Sequence, residues 1–219
     1  MITKWMLGKQ GIAVKTVAVL LLFLAFLLPP TLLYFKLVSL GHLVPILGGI
    51  PTLSLLVYIV LYRPSFKRLG FNLNLQSVLH ILPMTLAILL GELLLFALVP
   101  WLLGRERPLY LDIPNIYRYT YVTIFQEIVW RGFAFILLEK TGCKRRSLVI
   151  LTSAFLFSFA HIYYRNTSIL VGSFLLGLFW GRSYFQDRSL TGPIISHYIL
   201  GVPIIVLNYM GIKMDWRLL

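Results

Sequence analysis

Apolar residues in this chain come in long blocks separated by short polar stretches. Seven blocks are of the length that crosses a bilayer, about 20 residues in helical form. They run over roughly 16–38, 43–62, 77–103, 117–138, 147–163, 167–184 and 190–210. Most are apolar around the whole circumference rather than along one stripe, as lipid-facing or deeply buried helices are. No stretch shows the short alternation of a β-barrel strand. The pattern therefore predicts an all-α, polytopic bundle of about seven transmembrane spans, one integral-membrane domain over residues 1–219.

Breaks inside the blocks refine this. Pro29 and Pro30 should kink or break the first span. Gly48, Gly49 and Pro51 loosen the second, and Pro203 lies inside the seventh, near whose start Pro193 stands. Between the second and third spans, Phe66, Leu69, Phe71 and Leu73 alternate with basic and amide residues, which predicts an interfacial loop or short helix. Gly177 and Gly181 have the small-xxx-small spacing that lets helices approach closely; Gly172 lies on the same span. No internal repeat is visible, which counts against an inverted-repeat transporter.

Composition agrees. The chain is 59% hydrophobic with mean hydropathy +0.86, which excludes an ordinary soluble domain. Net charge is +13, but the basic residues stand at the ends of apolar blocks. That placement fits anionic lipid surfaces, and no basic-aromatic patch outside the membrane is large enough to read nucleic acid. Twelve Lys and Arg fall in one set of alternate loops and seven in the other, Arg131 being intramembrane. This predicts a cytoplasmic N-terminus and an exported C-terminus. The first block is too long for a cleaved signal peptide and is read as a retained span. The single cysteine, Cys143, excludes an internal disulfide.

Chemistry enters with the polar residues inside the spans. Glu127 and Arg131 sit four residues apart on the fourth span, so they share one helix face. His161 ends the fifth span and His197 lies inside the seventh. Charge at membrane depth costs a few kcal/mol per residue even on lenient scales, so such groups face protein or water. One Glu, one Arg and two His are expected to meet in a buried polar pocket at mid-depth. A carboxylate and an imidazole can hold and deprotonate a water, and a second imidazole can stabilise an oxyanion. Arg131 can hold the carboxylate ionised and oriented. Simpler readings stand beside these: a neutralised Glu–Arg pair locking helices, His161 as an interfacial aromatic-belt residue, His197 as a packing hydrogen bond. His42 and His80 lie at span boundaries, where headgroup contact is expected. Glu92, deeper on the third span, is either a second partner of the pocket or a protonated residue against lipid.

The pieces Gln126-Glu127-x-x-x-Arg131-Gly132, Phe157-x-x-x-His161 and His197 on a last span resemble the CPBP family (CAAX protease/bacteriocin-processing, Abi-like). The family contains CAAX prenyl endopeptidases, bacteriocin-processing and immunity proteins, and bacterial sorting-tag (myxosortase-like) proteases. Its signatures are Glu-Glu-x-x-x-Arg, Phe-x-x-x-His and His-x-x-x-Asn, and the resemblance covers about residues 117–210. It implies a glutamate-type intramembrane endopeptidase. Glu127 and His161 would activate water, His197 would stabilise the oxyanion, Arg131 would position the carboxylate, and Phe157 would pack one turn from His161. Two positions depart from the pattern. Gln126 stands for the first Glu, and Gly201 for the Asn, either opening room for substrate or leaving His197 to act alone. Asn208, about three turns from His197, is too far away to replace it.

The resemblance implies cleavage near a substrate's membrane-anchored C-terminal region, in a bacterial inner membrane, without a cofactor. The partners expected are a membrane-anchored or C-terminally tagged protein and the lipid bilayer. Zinc held by Glu127, His161 and His197 is the minority alternative. The alternative function is a catalytically degenerate member that binds peptide as an immunity or scaffold protein; a proton- or ion-coupled transporter is a third.

Overall fold

The computed structural model describes residues 2–39, 42, 45–104 and 113–206. Among these the chain forms seven helices and no strand, so the all-α expectation holds. Helix α1 covers residues 2–34, α2 45–62, α3 75–102, α4 113–140, α5 Arg146–Phe159, α6 Thr167–Asp187 and α7 Thr191–Val206. Stretches of α1, α3, α4 and α6, together with α5 and the turn after it, are long and apolar enough to cross a membrane; α2 and α7 are shorter apolar helices. The far end of the seventh predicted span, with Asn208, lies outside the described residues.

Pro29 and Pro30 do not break α1. A π-helical turn, Phe23–Leu27, precedes them, and Leu28 N–H reaches back five residues to the Phe23 carbonyl. Proline removes one N–H and crowds the carbonyl four residues earlier, and a widened turn accommodates both. The same device recurs at Pro45–Gly49 ahead of Pro51 and at Leu94–Leu98 ahead of Pro100. A fourth π turn, Ile128–Phe133 in α4, has no proline to explain it.

Helix α4 is the axis of the bundle. Two-thirds of its apolar window is buried, against at most a third for the other four long spans. The last turns of α4 pack on α1, and its first half packs on α7. The predicted glycine contact is present: a Cβ at Gly177 would lie 3.0 Å from Ala154 Cα, and one at Gly181 3.3 Å from Ile150, so α6 closes on α5. Gly172 has nothing near it and takes no part.

The polar link after α2 forms a 3-10 turn, Phe66–Leu69, as the alternation suggested. Its outer residues are exposed, but Leu69 and Gly70 turn inward and pack beneath the π turn of α4. The Asn72 carbonyl accepts from Ser189 and Thr191, and the Gly70 carbonyl from Leu190 N–H. The start of α7 is thereby held inside the bundle, with Ser189 and Leu190 buried. His80 is exposed near the start of α3. Its Nδ1 lies 3.2 Å from Asp187 Oδ1, tying α3 to the end of α6. His42 is exposed and bonded to Ser39.

Gly132 marks a close backbone contact with this loop, because an added Cβ would sit 2.7 Å from the Leu69 carbonyl oxygen. Backbone cannot swing aside as a side chain can. Gly132→Ala is expected to destabilise the protein by about 1–3 kcal/mol, read as a lower thermal midpoint in detergent, whereas Gly172→Ala leaves the midpoint unchanged.

Candidate active site

Tyr119, Thr123, Glu127 and Arg131 follow one another at four-residue spacing along α4, so they form one stripe. Thr123, Glu127 and Arg131 are wholly buried. The stripe faces α7, which places His197 opposite Glu127: Nδ1 lies 2.7 Å from Oε1. Counting from span ends sets these two residues at only loosely matching depths. The recessed start of α7 brings them level.

Arg131 Nη1 is 3.2 Å from the same Oε1, with both side chains at zero exposure. This contact is Coulombic rather than a hydrogen bond. Nε, Nη1 and Nη2 of Arg131 are all buried with no hydrogen bond among the described residues, and so is Glu127 Oε2. The guanidinium lies instead over two aromatic faces, 4.5 Å from the Phe157 centroid and 5.2 Å from that of Trp180. Such contacts offset part of the desolvation of a buried cation. An ionised carboxylate oxygen only accepts, so His197 donates Nδ1–H to Oε1.

Trp180 of α6 is the residue that the sequence did not single out. Its indole stacks on the His197 ring at 4.0 Å and 20°. It is itself held by Nε1–H donating to Ser196 Oγ at 3.0 Å, and the Thr85 hydroxyl bonds the same oxygen at 2.7 Å. Three helices therefore fix the tilt of one imidazole. A tryptophan three residues after Gly177 on the close-packed helix was the available signal.

His161 stands just past the end of α5. Its Nδ1 is 2.8 Å from the Phe157 carbonyl, an atom that can only accept, so Nδ1 carries the proton and Nε2 presents a lone pair. Its ring meets Phe157 edge-on at 4.9 Å, as the one-turn spacing suggested, and Phe157 meets His197 at 5.9 Å. The structure thus brings Glu127, Arg131 and His197 together and seats His161 edge-on against the Phe157 ring that also meets His197.

Gln126 is half-buried on the neighbouring flank of α4, and Glu127, not Gln126, holds the ion pair. Gly201 opens no room. A Cβ there would fall inside the hydroxyl and ring of Tyr119, so that notch is filled. Glu92 makes no hydrogen bond to Glu127, Arg131 or His197, and its Oε2 is buried without a hydrogen bond among the described residues. Among the described residues no three His, Cys, Asp or Glu side chains form a group that could hold a metal ion.

Around these side chains, Ser153 donates to the Trp130 carbonyl within the unexplained π turn at 2.7 Å. A π turn in a helix that carries buried charges is a frequent mark of a functional site.

Comparison with known proteins covers the segment that carries these residues. The family model of the type II CAAX prenyl endopeptidase Rce1-like proteins matches residues 113–202, the stretch that runs from the start of α4 to one turn past His197. Through that segment, less than half of the chain, it is similar to the type II CAAX prenyl endopeptidases. No curated protein and no solved structure matches it.

Removing one partner of a buried pair leaves the other uncompensated. Glu127→Ala is expected to destabilise the protein by about 3–5 kcal/mol. The double variant Glu127→Ala/Arg131→Met should recover most of that loss, measured by thermal unfolding in the same detergent.

Proposed function

We propose that this chain is an intramembrane endopeptidase that hydrolyses a peptide bond near its substrate's membrane-anchored C-terminal region. The family match supports a CAAX-type membrane protease in general terms. The observation that carries the finer reading is the state of the Glu127 carboxylate. One oxygen is bound by His197 and faced by Arg131, and the other is buried with no partner among the described residues.

Among the acceptor atoms left for a water are Glu127 Oε2 and His161 Nε2, the two groups that the resemblance puts forward for activation. The water oxygen attacks the scissile carbonyl carbon as its proton passes to this pair. The carbonyl oxygen gains negative charge, and collapse of the tetrahedral adduct breaks the C–N bond, the amine leaving with the proton. Arg131 supplies fixed positive charge beside the base and holds it in place. His197, stacked on Trp180 and tied through Nδ1, keeps the carboxylate at one angle. No cofactor is invoked. The substrate is a membrane-anchored or C-terminally tagged protein, and the setting is a bacterial inner membrane with the N-terminus in the cytoplasm.

The second reading, a noncatalytic member that binds peptide as an immunity or scaffold protein, draws on Gln126, which stands where the family pattern has Glu.

Purified protein in liposomes would be offered two probes: a prenylated peptide ending in a CAAX tetrapeptide, and a single-span protein with a C-terminal tag. Products are identified by mass. Cleavage is expected, falling by a factor on the order of 10²–10⁴ in Glu127→Gln, His161→Ala and His197→Ala. Wild-type cleavage by Glu127→Gln removes the enzyme reading as stated. Binding of a probe without cleavage, with turnover appearing in Gln126→Glu, establishes the degenerate one.

A further inference from the structure

An attacked carbonyl needs a hydrogen-bond donor for its developing oxyanion, placed beforehand and sheltered from water. Of the side chains already described, Arg131 has unused N–H groups, but its guanidinium lies over Phe157 and Trp180, one turn past Glu127 and away from the Gly201 end of the stripe. Glu127 only accepts when ionised. His161 turns its one proton toward the Phe157 carbonyl. His197 donates Nδ1–H to Glu127, so in its neutral form Nε2, the edge turned away from the carboxylate, carries a lone pair and no proton.

Tyr119 is the unassigned donor on the same stripe. It lies two turns before Glu127 and one before Thr123. Its ring meets His197 edge-on, centroids 6.1 Å apart, and stacks beside Tyr198 at 6.2 Å. Gly201 stands one turn beyond His197 on the same face of α7. The space that a side chain at 201 would occupy holds the Tyr119 hydroxyl. The absent side chain and the inserted phenol are one feature: α7 gives up a Cβ, and α4 fills the place with an O–H group. Glu127 and Glu92 are both within electrostatic range of that hydroxyl. Thr123 and Tyr164 are the other side chains in its reach, and none of the four is a cation.

We propose that the Tyr119 hydroxyl is the oxyanion donor of this site, seated over Gly201 one turn beyond His197. It donates its O–H to the carbonyl oxygen as the tetrahedral adduct forms and keeps its proton when the adduct collapses, so it is chemically unchanged after each turnover. The inference rests on the endopeptidase reading above.

The test is kinetic, with whichever of the two probes the wild type turns over. Tyr119→Phe keeps the ring that covers Gly201 and deletes only the donor. Its kcat is expected to fall by about 10²–10³-fold with KM unchanged. Tyr119→Ala/Gly201→Asn returns a donor to the same place from the other helix, and is expected to be at least about tenfold faster than Tyr119→Ala, a recovery that a purely structural tyrosine would not show. A wild-type kcat in Tyr119→Phe, or a change confined to KM, overturns the proposal. Should Tyr119→Phe prove unstable in detergent, the double variant decides: no recovery over Tyr119→Ala overturns it. Glu127→Gln run alongside separates the two failures. If it is inactive while Tyr119→Phe is fully active, the enzyme reading stands and the Tyr119 assignment falls. If it cleaves like wild type, or if wild type cleaves neither probe, both fall.

Discussion

A carboxylate and a guanidinium closed off from solvent inside a membrane bundle constrain everything around them. Glu127 and Arg131 have zero exposure and lie 3.2 Å apart on one helix. In a low-dielectric interior, desolvation of two such charges can exceed their mutual attraction, so a pair of this kind is weak evidence for stability by itself. Its surroundings show how it is tolerated. His197 donates to the carboxylate, two aromatic faces receive the guanidinium, and α4 lies at the most buried position in the bundle.

The rest of the architecture places those partners. The loop at Leu69–Asn72 folds beneath α4 because Gly132 lets its backbone come close, and the same loop holds the start of α7. That recess sets the depth of His197. Close packing of α6 on α5 through Gly177 and Gly181 brings Trp180 toward His197 and carries Phe157 of α5 into the same group. Small residues at helix contacts thus do chemical as well as steric service, since each sets the position of an aromatic or ionisable side chain one or two turns away.

The arrangement leaves atoms unsatisfied where a reaction would use them. Arg131 has three buried nitrogens and Glu127 one buried oxygen without hydrogen bonds among the described residues. Buried polar groups are ordinarily paired, so a cluster of exceptions in one place points to water or substrate. It coincides with the segment that matches the Rce1-like endopeptidase family. The π turn at Ile128–Phe133 starts directly after Glu127 and contains Arg131, without the proline that accounts for the other three. It turns the Arg131 end of the stripe relative to a regular helix.

Much of this was legible from the residues alone. Block length and all-round hydrophobicity determined the helical membrane bundle, since a spanning segment must satisfy its own backbone hydrogen bonds. Four-residue spacing determined that Glu127 and Arg131 share a face, and Gly177 and Gly181 announced a close helix contact. Local spacing has no term for what lies across a helix interface. Nothing in the sequence near Pro29 said that a π turn upstream would keep α1 whole. Nothing around His197 said that Trp180 would stack on it. Gly201 read as an open position until the fold put the ring of Tyr119, 82 residues away in the chain, into the gap. Periodicity reports which side of its own helix a residue occupies; which residues meet there depends on helix tilt, depth and side-chain volume, and those are settled only when all the helices pack at once.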